Sequence, residues 1–310
     1  MMKPHITVKS GSITKPLLAA RIEDQSLEDL KYPVGLTNKI DGLRCLLIDG
    51  HAVSRTFKPL PNKHIRDTLE KHVPNGMDME ITSGHNFQEA TGNIMREAGV
   101  NSFHVHVIDY VPGSCNEPYK DRIAKASEYA EKHWAKVPFT WEILTPTLAS
   151  NLKELEAYEV KALAEGHEGV MIRDMNAGYK CGRSTFNEGI LIKVKRFEDC
   201  EATVISVEEL MHNDNVAEKD AFGRSKRSTA QENLRPGGTL GTLVVKGLNG
   251  KFKDVEWRVG SGFTSAQRDE MWKRKGKLVG LVIKCKFFGI GVDEKPRFPT
   301  YIGERDKEDM

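Results

Sequence analysis

Lys39-Ile40-Asp41-Gly42-Leu43-Arg44 puts an amine, an Asp-Gly turn and a guanidinium within six positions. A lysine at the end of a strand is pinned by such a turn, and Arg44 returns on the next strand, so both cations can face one anion. The chemistry this suits is nucleophilic attack by the lysine on a phosphorus centre. An ordinary lysine amine is protonated at neutral pH, and freeing it costs about 4.6 kcal/mol, so the nucleophile needs nearby positive charge or desolvation. Lys193-Val194-Lys195 offers two cations on one face of a strand, because side chains i and i+2 point the same way. The same pair can hold the phosphate once it arrives. Each signal also has a plain structural reading: a hairpin turn with solvated charges for the hexamer, and a solvated strand edge for the lysine pair.

The elements that must position these residues alternate along the first two thirds of the chain. Val34 to Ile40 and Leu43 to Ile48 read as strands, and Asp49-Gly50 offers a type I′ turn into His51 to Ser54. Lys63 to His72, Phe87 to Ala98, Glu117 to Trp134 and Leu148 to Glu165 have helical spacing, with Gly166 available to end the last of them. Phe103 to Tyr110, Gly169 to Arg173 and Ile190 to Lys195 are short apolar strands. The pattern predicts an α+β domain built on antiparallel sheets. In the final third, Ala202 to Val207, Thr239 to Lys246, Val255 to Val259 and Leu278 to Lys286 alternate or run apolar, with one helix over Ser265 to Lys275. Short strands, glycine turns and one helix fit a small Greek-key barrel of the OB type. We place the domains at residues 1–197 and 198–310. The polar stretch near residues 211–236 is expected to be a mobile insertion, being too long and hydrophilic for a tight turn.

Length and composition bound the rest. The 310 residues suffice for two domains with their own cores, and 39% hydrophobic with 29% charged residues is ordinary for a soluble enzyme. No apolar run approaches the roughly 20 residues needed to cross a bilayer, and Met1 to Lys15 lacks a signal-peptide pattern. Five widely spaced cysteines, with no CxxC pair, argue for reduced thiols and against a disulfide frame or structural zinc. A cytoplasmic protein of a bacterium or its phage, with no membrane partner and monomeric, is expected. The net charge of +2 conceals an uneven distribution. Glu198 to Asp220 carries one Lys or Arg against eight Asp or Glu, whereas Ala221 to Lys286 carries fifteen against five. Such a basic region in a nearly neutral chain is the footprint of a polyanion binder.

Taken in order, the motifs resemble those of the covalent nucleotidyltransferase superfamily, and most of all the small ATP-dependent DNA ligases of bacteriophage type. Lys39 to Arg44 matches the nucleophile motif K-x-D-G-x-R, and Ser54-Arg55-Thr56 the element whose arginine contacts phosphate. Asp78-Met79-Glu80 resembles D-G-E, whose glutamate reads the ribose or assists the metal. Glu168-Gly169-Val170-Met171-Ile172-Arg173 resembles the strand whose glutamate supports a divalent metal. Gly182-Arg183-Ser184 is similar to the element that grips the nick 5′-phosphate, and Lys193 and Lys195 to the two lysines on the α-phosphate. Arg297-Phe298-Pro299 and Arg305-Asp306-Lys307 resemble the C-terminal elements. Order and spacing agree over roughly residues 13–310.

The resemblance implies ATP as substrate, with AMP carried on Lys39, Mg²⁺ (or Mn²⁺) as the metal, and nicked duplex DNA as partner. It implies that Arg44, Arg55, Glu80, Lys193 and Lys195 bind the nucleotide, Thr37 lies beside the base, and Glu168 and Glu80 serve the metal. Arg55 and Arg183 would position the nick. Arg305 and Lys307 would orient the β,γ-phosphate tail, the part of ATP still lacking a cationic partner. We add Arg224, Lys226 and Arg227 of the basic insertion as candidate DNA contacts.

Three positions depart from the family pattern. Thr37 stands where Glu or Gln is frequent, Met79 replaces the glycine of D-G-E, and Ile108 stands where an aromatic residue often stacks on adenine. Phe103 is the nearest upstream aromatic, although it reads as core. His104 and His106 share a strand face as a metal pair would, but no nearby acid or cysteine in the sequence completes a site. Gly260-Ser261-Gly262 reads as a barrel turn, and Trp257 and Trp272 as core. Two other enzymes of the superfamily, an RNA capping guanylyltransferase and an RNA ligase, stay open at this point, as does a catalytically silent duplex-binding clamp.

Overall fold

The computed structural model describes residues 13–22, 26–84, 87–195, 197–219 and 225–305. Its packing falls into two compact units, the first reaching Val194 and the second beginning at Lys195.

The first unit contains β1 (Ala20–Arg21), β2 (Val34–Asn38), β3 (Leu43–Ile48), β4 (His51–Ser54), β5 (Met77–Thr82), β6 (His104–Tyr110), β7 (Thr140–Ile143), β8 (Thr147–Ala149), β9 (Val170–Arg173) and β10 (Leu191–Val194). Its helices are α1 (Lys63–His72), α2 (Phe87–Met95), α3 (Tyr119–His133) and α4 (Leu152–Ala164). The strands form two five-stranded sheets, ordered β1-β10-β9-β2-β8 and β4-β3-β5-β6-β7. Pairing is antiparallel except at β1–β10 and β6–β7. The composition of β3 shows why. Cys45 and Leu47 face a core shared with Ile65, Leu69, Ile123 and Ala126 of α1 and α3. Leu46 and Ile48 face a second core with Leu17, Tyr179 and Leu191. A strand buried on both faces reads as a continuous apolar run rather than an alternation. On the other sheet, Leu36, Ile172 and Ile192 pack with Leu155 and Ala162 of α4.

The second unit contains β11 (Glu198–Asn213), β12 (Ala217–Lys219), β13 (Ser225–Arg227), β14 (Leu234–Gly247), β15 (Glu256–Val259), α5 (Ser265–Lys273), β16 (Val282–Phe287) and β17 (Thr300–Glu304). Its sheet runs β15-β14-β11-β16-β17, and a bridge between Ser261 and Thr300 joins the two edges. The Tyr301 N–H donates to the Ser261 carbonyl at 2.9 Å. Gly260-Ser261-Gly262 is thus the seam of an OB-type barrel. Val204, Leu243, Val245, Trp257, Met271, Ile283 and Phe287 fill its core, with Trp272 packed at the margin. Thr264 and Gln267 form a capping box that starts α5.

Two expectations are corrected, and one unread strand is added. Leu148 and Ala149 are not helical: they belong to β8, paired with β2. The helix starts after Asn151, whose side chain accepts from the Glu154 N–H while the Glu154 carboxylate accepts from the Ser150 N–H. The stretch at 211–236 is not one structureless insertion. β11 and β14 stay paired out to Asn213 and Leu234, and β12 pairs with β13 beyond them. Strand β5 was not anticipated, although Met77, Met79 and Ile81 alternate into the core.

Candidate active site

The register of β2 on β9 builds the centre of the site. Thr37 lies opposite Met171 and Asn38 opposite Val170, and one step further the Lys39 N–H donates to the Gly169 carbonyl at 2.9 Å. Glu168 therefore emerges beside Lys39, and its carboxylate accepts a hydrogen bond from the Lys39 amine in a largely enclosed ion pair. The chain then turns at Gly42 into β3. A Cβ there would lie 2.7 Å from the Ile81 carbonyl oxygen and 2.8 Å from Glu80 Cγ, so only glycine lets the turn lie against β5. Arg44 pairs in register with Glu80 across β3 and β5.

Lys39, Arg44 and Glu80 line one cleft of about 220 Å³ between the two sheets of the first unit. One wall is Leu18, Ala19, Thr37, Lys39, Met171, Arg173, Leu191 and Lys193, and the other is Arg44, Arg55, Glu80, Ile108 and Leu144. Thr37, Lys39, Arg44, Arg55, Glu80 and Lys193, scattered over more than 150 positions of sequence, thus converge as expected. Ile108 occupies the wall where an aromatic was absent from the sequence. Phe103 is buried and stacked on Phe139, so it is core.

Charge in the cleft is not free. Arg44 grips the fully buried Asp78 with two nitrogens, the second at 2.6 Å, and Asp78 also accepts from the Tyr179 hydroxyl at 2.7 Å. Arg44 is therefore a cation held in place by a buried carboxylate through its Nε and one terminal nitrogen. Burial pushes the Glu80 carboxyl up to about 7, opposed by Arg44 and Lys39. A second network lies behind the wall. Asp109 accepts from Arg122 at 2.8 and 3.0 Å and from Arg173 at 3.0 Å, and Arg173 lies over the Tyr119 ring. Sequence reasoning missed the positioning role of Asp78, Asp109, Arg122 and Tyr179. The one signal was Arg122 itself, an arginine on the apolar face of α3 between Tyr119 and Ile123.

The remaining expected residues lie elsewhere. Arg183 stands beside the cleft wall, donating to the Ala19 carbonyl at 2.8 Å, with Gly182 and Ser184 hydrogen-bonded to Leu18. Lys195 follows β10, which ends at Val194. Its amine lies 4.6 Å from the centre of the Phe288 ring in the second unit. Arg305 donates to Glu201 at 2.9 Å in the barrel. Lys226 is exposed on β13, and Arg227 donates to the Asn215 carbonyl. Arg224 and Lys307 lie outside the described residues.

Glu168 and Glu80 offer hard oxygen donors suited to Mg²⁺, next to the amine and with Lys193 on the same cleft, which is the donor set that a phosphoryl-transfer metal needs. No helix among the described residues is long and apolar enough to cross a membrane.

Comparison with known proteins gives the same direction. The DNA ligase OB-like domain matches residues 234–305. No curated protein sequence matches. Among solved structures, the chain is similar to the Chlorella virus DNA ligase-adenylate, at 34% identity and a TM-score of 0.57, covering 95% of this chain and 100% of that one. It is also similar in fold to a Lig E DNA ligase (23%, TM-score 0.64, 94% and 99% covered) and to Pmar-Lig_Pre (23%, TM-score 0.68, 94% and 68% covered). With that viral ligase matched end to end at 34% identity and the OB-like domain recognised independently, the chain belongs to the family of small ATP-dependent DNA ligases.

Proposed function

We propose that the protein seals single-strand nicks in duplex DNA through a lysyl-AMP on Lys39 and a DNA-adenylate. In the first step the Lys39 nitrogen forms a bond to the α-phosphorus of ATP as the bond to the pyrophosphate oxygen breaks. The adenylyl group then passes to the 5′-phosphate at the nick, restoring the amine. Finally the 3′-hydroxyl attacks that phosphate and AMP leaves. The observation that carries this reading is the convergence of Lys39, Lys193, Arg55 and Glu80 on one cleft, with Glu168 paired to Lys39.

Lys193 and Arg55 offset charge on the phosphates, and Lys39 is held in line by the Gly169 hydrogen bond and the turn at Gly42. A divalent cation held by Glu168, with Glu80 close by, would draw charge from the α-phosphate and take the carboxylate away from the Lys39 amine. We assign catalysis to residues 1–197 and DNA clamping to the barrel of residues 198–310. Arg55 and Arg183 position the nick, and Lys226 with its neighbours contacts phosphates without reading sequence. Lys195, Arg305 and Lys307 remain proposed partners of the nucleotide phosphates.

The test is incubation with α-labelled ATP, or with GTP, followed by a nicked duplex. A stable AMP adduct that is chased into sealed DNA supports the reading. An adduct formed only from GTP, or none at all, would overturn it.

A further inference from the structure

We propose that His104, His106 and Glu142 form a binding site for a transition-metal dication, with Zn²⁺ as the reference ion, separate from the Mg²⁺ of the proposed ligation reaction. The sequence holds only half of this site, since His104 and His106 share one face of β6 but the acid comes from β7, 36 positions after His106. Parallel pairing puts His106 opposite Glu142 and His104 opposite Thr140, while on the other side Thr82 of β5 lies opposite His104. One ligand atom from each of the three side chains lies within 4.8 Å of the others, the one such group among the described residues.

The hydrogen bonds leave the right atoms for a metal. His104 Nδ1 is 2.8 Å from the Thr140 hydroxyl and His106 Nε2 is 2.9 Å from the Thr82 hydroxyl. Each threonine fixes the non-ligating nitrogen of its ring, as outer partners of metal-bound histidines do. That directs His104 Nε2 and His106 Nδ1 toward Glu142, whose Oε1 lies 4.0 and 2.5 Å from them. His104 Nε2 is enclosed and has no hydrogen-bond partner among the described residues. A cluster built only for packing would leave that buried nitrogen uncompensated. Around a tetrahedral Zn²⁺ with bonds of 2.0–2.2 Å, ligand atoms stand about 3.4 Å apart. The two observed separations straddle that value, and the half-exposed Glu142 chain can supply the movement. Two imidazoles and one carboxylate select Zn²⁺, Co²⁺, Ni²⁺ or Cu²⁺ over Mg²⁺. Binding would tie the edge strand β7 to β6 on the face that continues into the cleft at Ile108 and Leu144.

The test uses the full chain after chelator treatment. Zn²⁺ is titrated by calorimetry and Co²⁺ by its visible absorption, both in excess Mg²⁺. One equivalent should bind and raise the melting temperature. His104→Gln and Glu142→Gln should each weaken binding roughly tenfold or more, with metal-free melting curves checking that both variants fold. Absence of stoichiometric binding would overturn the site, as would unchanged affinity in both variants, which would place the metal on other ligands. Because the readouts are heat, absorption and melting, they stand apart from whether the protein ligates DNA.

Discussion

Lys39 and Glu168 are 129 positions apart in the chain and directly bonded in the fold. The contact is a product of strand register: β2 and β9 run antiparallel, Asn38 meets Val170, and the next residue on each side is an amine and, past Gly169, a carboxylate. A shift of one residue would send either side chain to the opposite face. The pair holds the amine in place, with a Lys39 N–H donating to the Glu168 carboxylate.

Removing either member should therefore separate two roles. Lys39→Ala and Lys39→Arg should both abolish the AMP adduct, since a guanidinium cannot be deprotonated in a protein. Glu168→Gln should still bind nucleotide but slow adenylation by orders of magnitude and flatten its Mg²⁺ titration. Mass spectrometry of the intact protein after ATP treatment reads both. Adduct on either Lys39 variant, or a normal metal titration for Glu168→Gln, would refute the assignment.

Much of this was legible in the residues and some was not. Lys39, Arg44, Arg55, Glu80, Glu168 and Lys193 carry their spacing in short motifs, and all of these except Glu80 sit on or beside strands that the pattern also marks. What failed was information held by partners. Leu148 fits the apolar spacing of α4, yet pairing with β2 holds it extended, and Asn151 with Glu154 marks the true start. The role of Asp78 in fixing Arg44 depends on the β3–β5 register, which no local pattern carries. Glu142 completes the histidine cluster only because β7 lies parallel to β6.

Glu80 makes stability depend on pH. Its carboxyl is raised by burial from 4.5 to about 7, so between those values the folded protein holds a proton that the unfolded chain has lost. Stability should then fall as pH rises through this window, and the loss is complete above it. Glu80→Gln removes the ionisation and should gain on the order of 2 kcal/mol relative to wild type at pH 8, with little gain at pH 4.5. Chemical denaturation at the two values reads the difference. An offset that does not change with pH would show that Glu80 ionises freely.

Asp109 supports the cleft from behind. It is the shared acceptor for Arg122 and Arg173, which are themselves almost fully buried. Asp109→Ala leaves two enclosed guanidiniums without their anion and should cost about 3–5 kcal/mol. Asp109→Asn, which retains an acceptor oxygen, should cost less. Urea unfolding distinguishes them, and equal small losses would mean that water replaces the carboxylate.

Lys226 tests the DNA face without disturbing the ribbon. Its neighbour Arg227 donates to the Asn215 carbonyl, so removing Arg227 would mix charge with structure. Lys226→Ala should lower the slope of log affinity against log salt by about 1 and leave adenylation intact. An unchanged slope would take this lysine off the phosphates.

Arg305 offers the sharpest choice between a chemical and a structural role. Its guanidinium bonds to Glu201 of β11, so the side chain already has work within the barrel, and its backbone N–H donates to the Val282 carbonyl. If that is its whole function, Arg305→Ala and Glu201→Gln should destabilise the protein alike and impair every step alike. If Arg305 instead serves the β,γ-phosphate tail, its loss matters only while that tail exists, which is the first step alone. Arg305→Ala should then cripple self-adenylation yet seal a nick whose 5′-phosphate is already adenylated. Glu201→Gln should adenylate as well as wild type or better, because it frees the guanidinium from its competing carboxylate. The pair is partly exposed, so the ion pair itself should contribute on the order of 1 kcal/mol and both variants should fold. Measuring adenylation and pre-adenylated sealing for the two variants side by side decides the matter. Matched losses in both assays would return Arg305 to the barrel, and a first-step defect confined to Arg305→Ala would assign it to the leaving group.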